Sequence, residues 1–137
     1  MNRVQTEDFD INAEIAALTK GRSDIGAVVT FSGLVRDVTL TLEHYAGMTE
    51  RELAKLEADA NARWELQGVT IIHRIGTLLP ADNIVLVVTA SKHRKDAFEA
   101  AEFLMDHLKT RAPFWKREGE HWVEAKDSDD QAAERWK

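Results

Sequence analysis

The stretch "GAVVTFSGLVRDVTLTLEHY", residues 26–45, carries two β-strands with almost nothing between them. Residues 26–36 are rich in β-branched and aromatic side chains, and residues 38–45 alternate Val and Leu against Thr and Glu as far as His44 and Tyr45. Two such runs so close together are expected to be neighbours in one sheet. Yet only Asp37 separates them, and no Gly or Asn supplies the positive φ angles of a tight hairpin. Either the strands run on through a bend, or a connecting loop is absent from this sequence. We expect the second, a mobile loop left out rather than a true deletion.

Working outward, residues 10–20 have Asp10 as helix cap, apolar side chains at 11, 15 and 18, and Gly21 as the stop. Residues 48–64 predict an amphipathic helix, with Glu50 and Glu52 in the first turn where the helix dipole favours anions. Residues 69–79 and 83–91 predict an antiparallel strand pair joined through Pro80 and Asp82. The longest helix is expected over 93–112, stopped by Pro113. Beyond it, 113–125 reads as a hairpin turning at Gly119, and 128–136 as a helix opened by a Ser128-x-x-Gln131 capping box.

The 137 residues are the length of one ordinary domain, which we expect to span 1–137, and 44% hydrophobic with 31% charged residues is a globular balance. A net charge of −6 argues against general affinity for nucleic acid or anionic membrane. The first ten residues lack the apolar core of a signal peptide, and no apolar run is long enough to span a bilayer, so a cytoplasmic location is expected. Cysteine is absent, which excludes disulfides, thiolate metal sites and a nucleophilic or persulfide-carrying thiol in this chain. Histidines at 44, 73, 93, 107 and 121 show no metal-ligand pairing, and there is no GxGxxG or Walker loop, so no metal or nucleotide cofactor is expected.

Against this acidic background, residues 92–117 concentrate cations: Lys92, His93, Arg94, Lys95, His107, Lys109, Arg111, Lys116 and Arg117 face only Asp96, Glu99, Glu102 and Asp106. A solvated helix face with cations complementing the dipole is one reading. Position suggests another. His93 and Arg94 fall at a helix start, where backbone N–H groups favour an anion. Lys109 lies in the last turn and Lys116 beyond the Pro113 break, so the chain can fold one lysine back towards the other. Two such lysines depress each other's pKa, which suits a lysine to acid–base work. Phe114 and Trp115 read as a core cap or a stacking platform, Arg36 as a surface cation or an anion clamp, and His44 and His73 as structural residues.

Taken in order, "LTLEHYAGMTE", "HRIG", "LKTRAPFWKRE" and the final "W" with "VEA" resemble the large, catalytic subunit of molybdopterin synthase, over about residues 26–136. The resemblance implies an α+β fold, an α/β hammerhead with an additional antiparallel sheet. It implies a sulfurtransferase that converts precursor Z, a cyclic pyranopterin monophosphate, into molybdopterin by installing two dithiolene sulfurs. The sulfur would come from a small ubiquitin-like partner bearing a C-terminal Gly-Gly thiocarboxylate, in a heterotetramer built on a central homodimer. By the same resemblance, Lys109 and Lys116 are catalytic. Arg36, His93 and Arg94 bind substrate phosphate and pterin, while Phe31, Met105 and Arg111 line the pocket or the tail's channel. The family carries several more residues after the Arg36 position, in the place where turn chemistry is missing here. The competing readings are a non-catalytic pterin- or anion-binding module and an assembly protein for a ubiquitin-like partner.

Overall fold

The computed structural model describes residues 1–119, 121–123 and 127–136. Along the chain run β1 (Asn2–Gln5), α1 (Ile11–Thr19), β2 (Ala27–Leu34), β3 (Leu40–His44), α2 (Met48–Arg63) and β4 (Gly68–Arg74). They are followed by β5 (Gly76–Leu78), β6 (Asn83–Ser91), α3 (Arg94–Arg111), β7 (Phe114–Glu118), β8 (His121–Val123) and α4 (Asp127–Glu134). The strands form two four-stranded sheets, ordered β1-β4-β6-β2 and β5-β3-β7-β8. This is the α+β arrangement with an added antiparallel sheet that the resemblance implies.

The expectation that the strands at 26–36 and 38–45 are neighbours is wrong. β2 pairs with β6 in the first sheet, whereas β3 pairs with β5 and β7 in the second. No hairpin turn is encoded because no hairpin exists: residues 35–39 carry the chain from one sheet to the other. Asp37 takes the left-handed conformation itself, at φ 69°, a conformation Asp tolerates better than most side chains. The buried Val35 exchanges backbone hydrogen bonds with the β5–β6 turn, donating to Asp82 O (2.9 Å) and accepting from Ala81 N (2.8 Å). Thr39 O accepts from Gly119 N at 3.0 Å. The residues present close the join as they stand.

A second crossing splits the run read as one strand over 69–79. β4 pairs with β6 as far as His73, then Ile75 and Gly76 redirect the chain and β5 joins β3. Arg74 fastens this corner, its guanidinium donating to Thr6 O at 3.0 Å and Asn83 O at 3.0 Å. β1, parallel to β4, was not read from the sequence, since four residues including Arg3 show no apolar alternation.

The first sheet is covered on both faces, as the two-residue period of its strands requires. Val69, Ile71, Val85 and Val87 meet Leu53, Leu56 and Ala60 of α2 and Phe103, Leu104 and Leu108 of α3. Ile72, Leu86 and Val88 turn the other way onto Ile11, Ile15 and Leu18 of α1. A smaller core of Val35, Leu40, Leu42 and Leu78, packed with Ile75, Ile84 and Phe114, fills the seam between the sheets. Asp10 caps α1 as expected, accepting from Ala13 N at 3.1 Å, and Gly119 turns the β7–β8 hairpin at φ 59°. α4 begins at Asp127, which puts Ser128 inside the helix rather than at its cap. Arg135 ties α4 to α3 through Glu102 and Asp106, both at 2.6 Å. No helix among the described residues is long and apolar enough to cross a membrane.

Gly76 has φ 92°, and a Cβ there would meet only Thr6 Cγ2 at 3.9 Å, so the cost of a side chain is conformational rather than steric. Gly76→Ala is expected to lower stability by about 1–2 kcal/mol. Urea unfolding should show a lower midpoint with an unchanged slope.

Candidate active site

Pro113 ends α3, and one hydroxyl holds the turn that follows. Buried Thr49, in the first turn of α2, donates through Oγ1 to Pro113 O at 3.0 Å and accepts from Tyr45 N at 3.2 Å. That clamp sets where β7 starts. β7 then enters the second sheet between β3 and β8, with Lys116 opposite Leu42 and Val123. Alternation puts Phe114 and Lys116 on one face and Trp115 and Arg117 on the other.

Phe114 packs into the seam core and stacks on His73 at the end of β4, with ring centroids 3.9 Å apart and planes 21° apart. His73 Nδ1 lies 2.8 Å from Arg74 O. A carbonyl can only accept, so the ring carries its proton on Nδ1 and leaves the Nε2 lone pair free to accept. Burial, reinforced by the positive charges of Lys109 and Lys116, pushes the imidazole pKa down to about 4, against the opposing pull of the Arg74 carbonyl. One ring thus feels both lysines, although they come from opposite sides of Pro113. Lys109 is exposed in the last turn of α3 and Lys116 half-buried in β7. The sequence reading expected the lysines to converge; it took His73 for a structural residue.

The other expected site residues are spread over several elements. Arg36 projects from the first crossing with its side chain 82% exposed, and its recorded ion pair, 3.8 Å long, is with neighbouring Asp37. Phe31 lies on β2, exposed at the surface, and Met105 on α3, half-buried against the main core. Arg111 turns away onto α2, reaching Asp59 at 3.0 Å and Glu52 at 3.7 Å. It lines an open cavity of about 310 Å³ with Arg63, His107 and Trp136, which contains neither lysine. His93 and Arg94 stand exposed at the start of α3, His93 in the cap position without a side-chain cap bond. At 1.5 Å per residue, Arg94 and Lys109 are separated by about 22 Å along the helix axis. Phe114 is a core residue, whereas Trp115 is 51% exposed beside Tyr45 and Trp122.

Fold and site together define a two-sheet α+β protein with a cationic corner where its longest helix breaks, suited to an anionic substrate. Residues 4–111 match the family described as MoaE protein. The chain is 60% identical to the molybdopterin synthase catalytic subunit of Mesorhizobium japonicum, over 98% of this chain and 92% of that one. That alignment runs over 146 positions, more than the 137 residues here, so the relative has residues this chain lacks. Among solved structures, the MoaE protein from Burkholderia ambifaria superposes with a TM-score of 0.89 at 53% identity, covering 99% of this chain and 97% of that chain. Molybdopterin synthase from Staphylococcus aureus gives 0.76 at 33% identity, covering 88% and 90%. The chain belongs to the MoaE family.

His73 is neutral in the fold at a pH where a free histidine is half-charged. The folded pKa lies below the unfolded value, so its contribution is complete above the unfolded pKa and is lost as pH falls towards the folded one. Urea unfolding at pH 7 and pH 4.5 should show a loss that is larger in the wild type than in His73→Gln, by at most about 3 kcal/mol, while His107, also held below its usual value by burial, contributes to the loss in both.

Proposed function

We propose that this chain is the catalytic subunit of a molybdopterin synthase, with residues 1–137 as one catalytic domain. It would transfer sulfur from the C-terminal thiocarboxylate of a small ubiquitin-like partner to precursor Z, forming the molybdopterin dithiolene. The observation that carries the reading is that Lys109 and Lys116, on either side of Pro113, both bear electrostatically on His73 in a cysteine-free chain. A chain without thiols must receive its sulfur already activated. Freeing sulfur from an acyl carbon passes through a tetrahedral centre with a negative oxygen, and ammonium groups fixed beside it stabilise that charge and move protons. The substrate's phosphate supplies the anion that the local cations attract within an acidic protein. A cytoplasmic site of action belongs to the same proposal.

His93 and Arg94 require one addition. They lie a helix length from Lys109, farther than a single pyranopterin phosphate extends, so one chain does not bring them to its own lysines. We assign them to the lysine corner of a second copy in a homodimer, an arrangement in which isologous contact returns the same help. The heterotetramer then has this homodimer at its centre and one small subunit serving each composite site.

Lys109→Ala and Lys116→Ala are each expected to lower molybdopterin formation from precursor Z and thiocarboxylated partner by about 10²- to 10⁴-fold. Normal product formation in both would remove the reading. Mixing unfolded Lys116→Ala and Arg94→Ala chains and refolding them together should restore about a quarter of wild-type activity, since half the dimers are mixed and each has one intact site. No recovery would place Arg94 outside the partner's site.

A further inference from the structure

His73 is the group in this corner that the function above leaves unused. It ends β4 in the first sheet, while the ring it stacks on and one of the lysines beside it belong to the second. Two contacts fix its orientation: Phe114 holds its face, and Arg74 O holds its Nδ1 proton. A ring locked in this way aims the Nε2 lone pair in one direction. A lysine, by contrast, has a flexible stem and an ammonium that points nowhere in particular without an acceptor.

We propose that His73 is a positioning residue of the sulfur-transfer site, its Nε2 accepting a hydrogen bond from an ammonium group of the Lys109–Lys116 corner and holding that group towards the reacting acyl carbon. The proposal rests on the reading of these lysines as the reacting pair. An uncharged acceptor is what this task requires, and the neutral imidazole supplies one. A carboxylate in its place would cancel the cation's charge and hold its proton, weakening both its attraction for a developing oxyanion and its use as an acid. An imidazolium would repel both lysines. The seam keeps the ring neutral through burial and through the two lysines themselves. Arg74, its chain neighbour, spends its guanidinium on Thr6 O and Asn83 O and leaves its own carbonyl to fix the tautomer.

The test compares His73→Phe, which keeps a ring on Phe114 but has no acceptor, with His73→Gln, which restores an acceptor without the ring. Both are assayed as the complex with thiocarboxylated small subunit, after urea unfolding has shown that each is folded. His73→Phe is expected to lower kcat by about 10- to 100-fold with KM within about threefold of wild type, and His73→Gln to recover most of kcat. Wild-type kcat in His73→Phe, or equal losses in the two folded variants, would overturn the proposal, because either result shows that the acceptor does not matter. A second measurement needs no turnover: the imidazole nitrogen resonances of His73, followed by NMR through a pH titration. They should report an Nδ1–H tautomer whose pKa rises in Lys109→Ala or Lys116→Ala. Resonances indifferent to both lysines, or an Nε2–H tautomer, would overturn the positioning role. A wild-type complex that made no product would count against the synthase reading, and the NMR result would still decide whether His73 engages the lysines.

Discussion

The constraint on which the structure depends is that one chain crosses between two sheets twice, at residues 35–39 and at Ile75–Gly76. Each crossing is too short to allow the sheets to drift apart, and each is tied by backbone hydrogen bonds, Val35 to Ala81 and Asp82 in the first, Ile75 to Gln5 O at 2.9 Å in the second. The seam core of Val35, Leu40, Leu42 and Leu78 then has little choice but to close. Covalent connection adds to that packing: segments held close by the chain lose less entropy on packing than segments that must find each other.

The candidate site depends on that seam. Its parts come from three layers: Lys109 from a helix packed on the first sheet, His73 from the end of a strand in that sheet, and Lys116 from the second sheet. None is near another in the sequence except across Pro113. The stacking of His73 on Phe114 is one place where the sheets touch through side chains, beside the packing of Ile84 on the seam core, and the Thr49 hydroxyl fixes the turn between helix and strand. A change in the angle between the sheets would therefore move the lysines relative to each other, although every element kept its own geometry. This couples packing to chemistry, since reacting groups displaced by about 1 Å lose much of their effect.

What the sequence disclosed follows from the range of the interactions involved. Periodicity and caps are local, so α1, α2, α3 and the β7–β8 hairpin were legible, as was the antiparallel pairing of β4 with β6, though not the excursion of β5 into the other sheet between them. Which sheet a strand joins is not local. The same alternation in β3 fits a place beside β2 or a place between β5 and β7, and the absence of turn residues around Asp37 does not say which sheet the strand joins. The break between Lys109 and Lys116 was legible because Pro113 cannot continue the helix. His73 was not: its partner Phe114 lies 41 positions along the chain, and no spacing rule links them. Nor did the cation count show that α3 keeps His93 and Arg94 away from Lys109, since a count takes no account of length.

That separation gives the acidic balance of the chain a physical sense. A protein with net charge −6 repels anions at long range, yet must hold a phosphorylated substrate and a partner's carboxyl-derived tail. Fields from charges scattered over the surface fade within about 10 Å in physiological salt, so the net charge matters less than the cations within that distance of the site. Dividing them between the two ends of one helix leaves each end only moderately basic in the isolated chain. In the proposed dimer the two ends meet, and the strongly cationic surface exists only where the assembly has formed. Sulfur transfer would then be confined to the complete complex by electrostatics, without any need for a moving part.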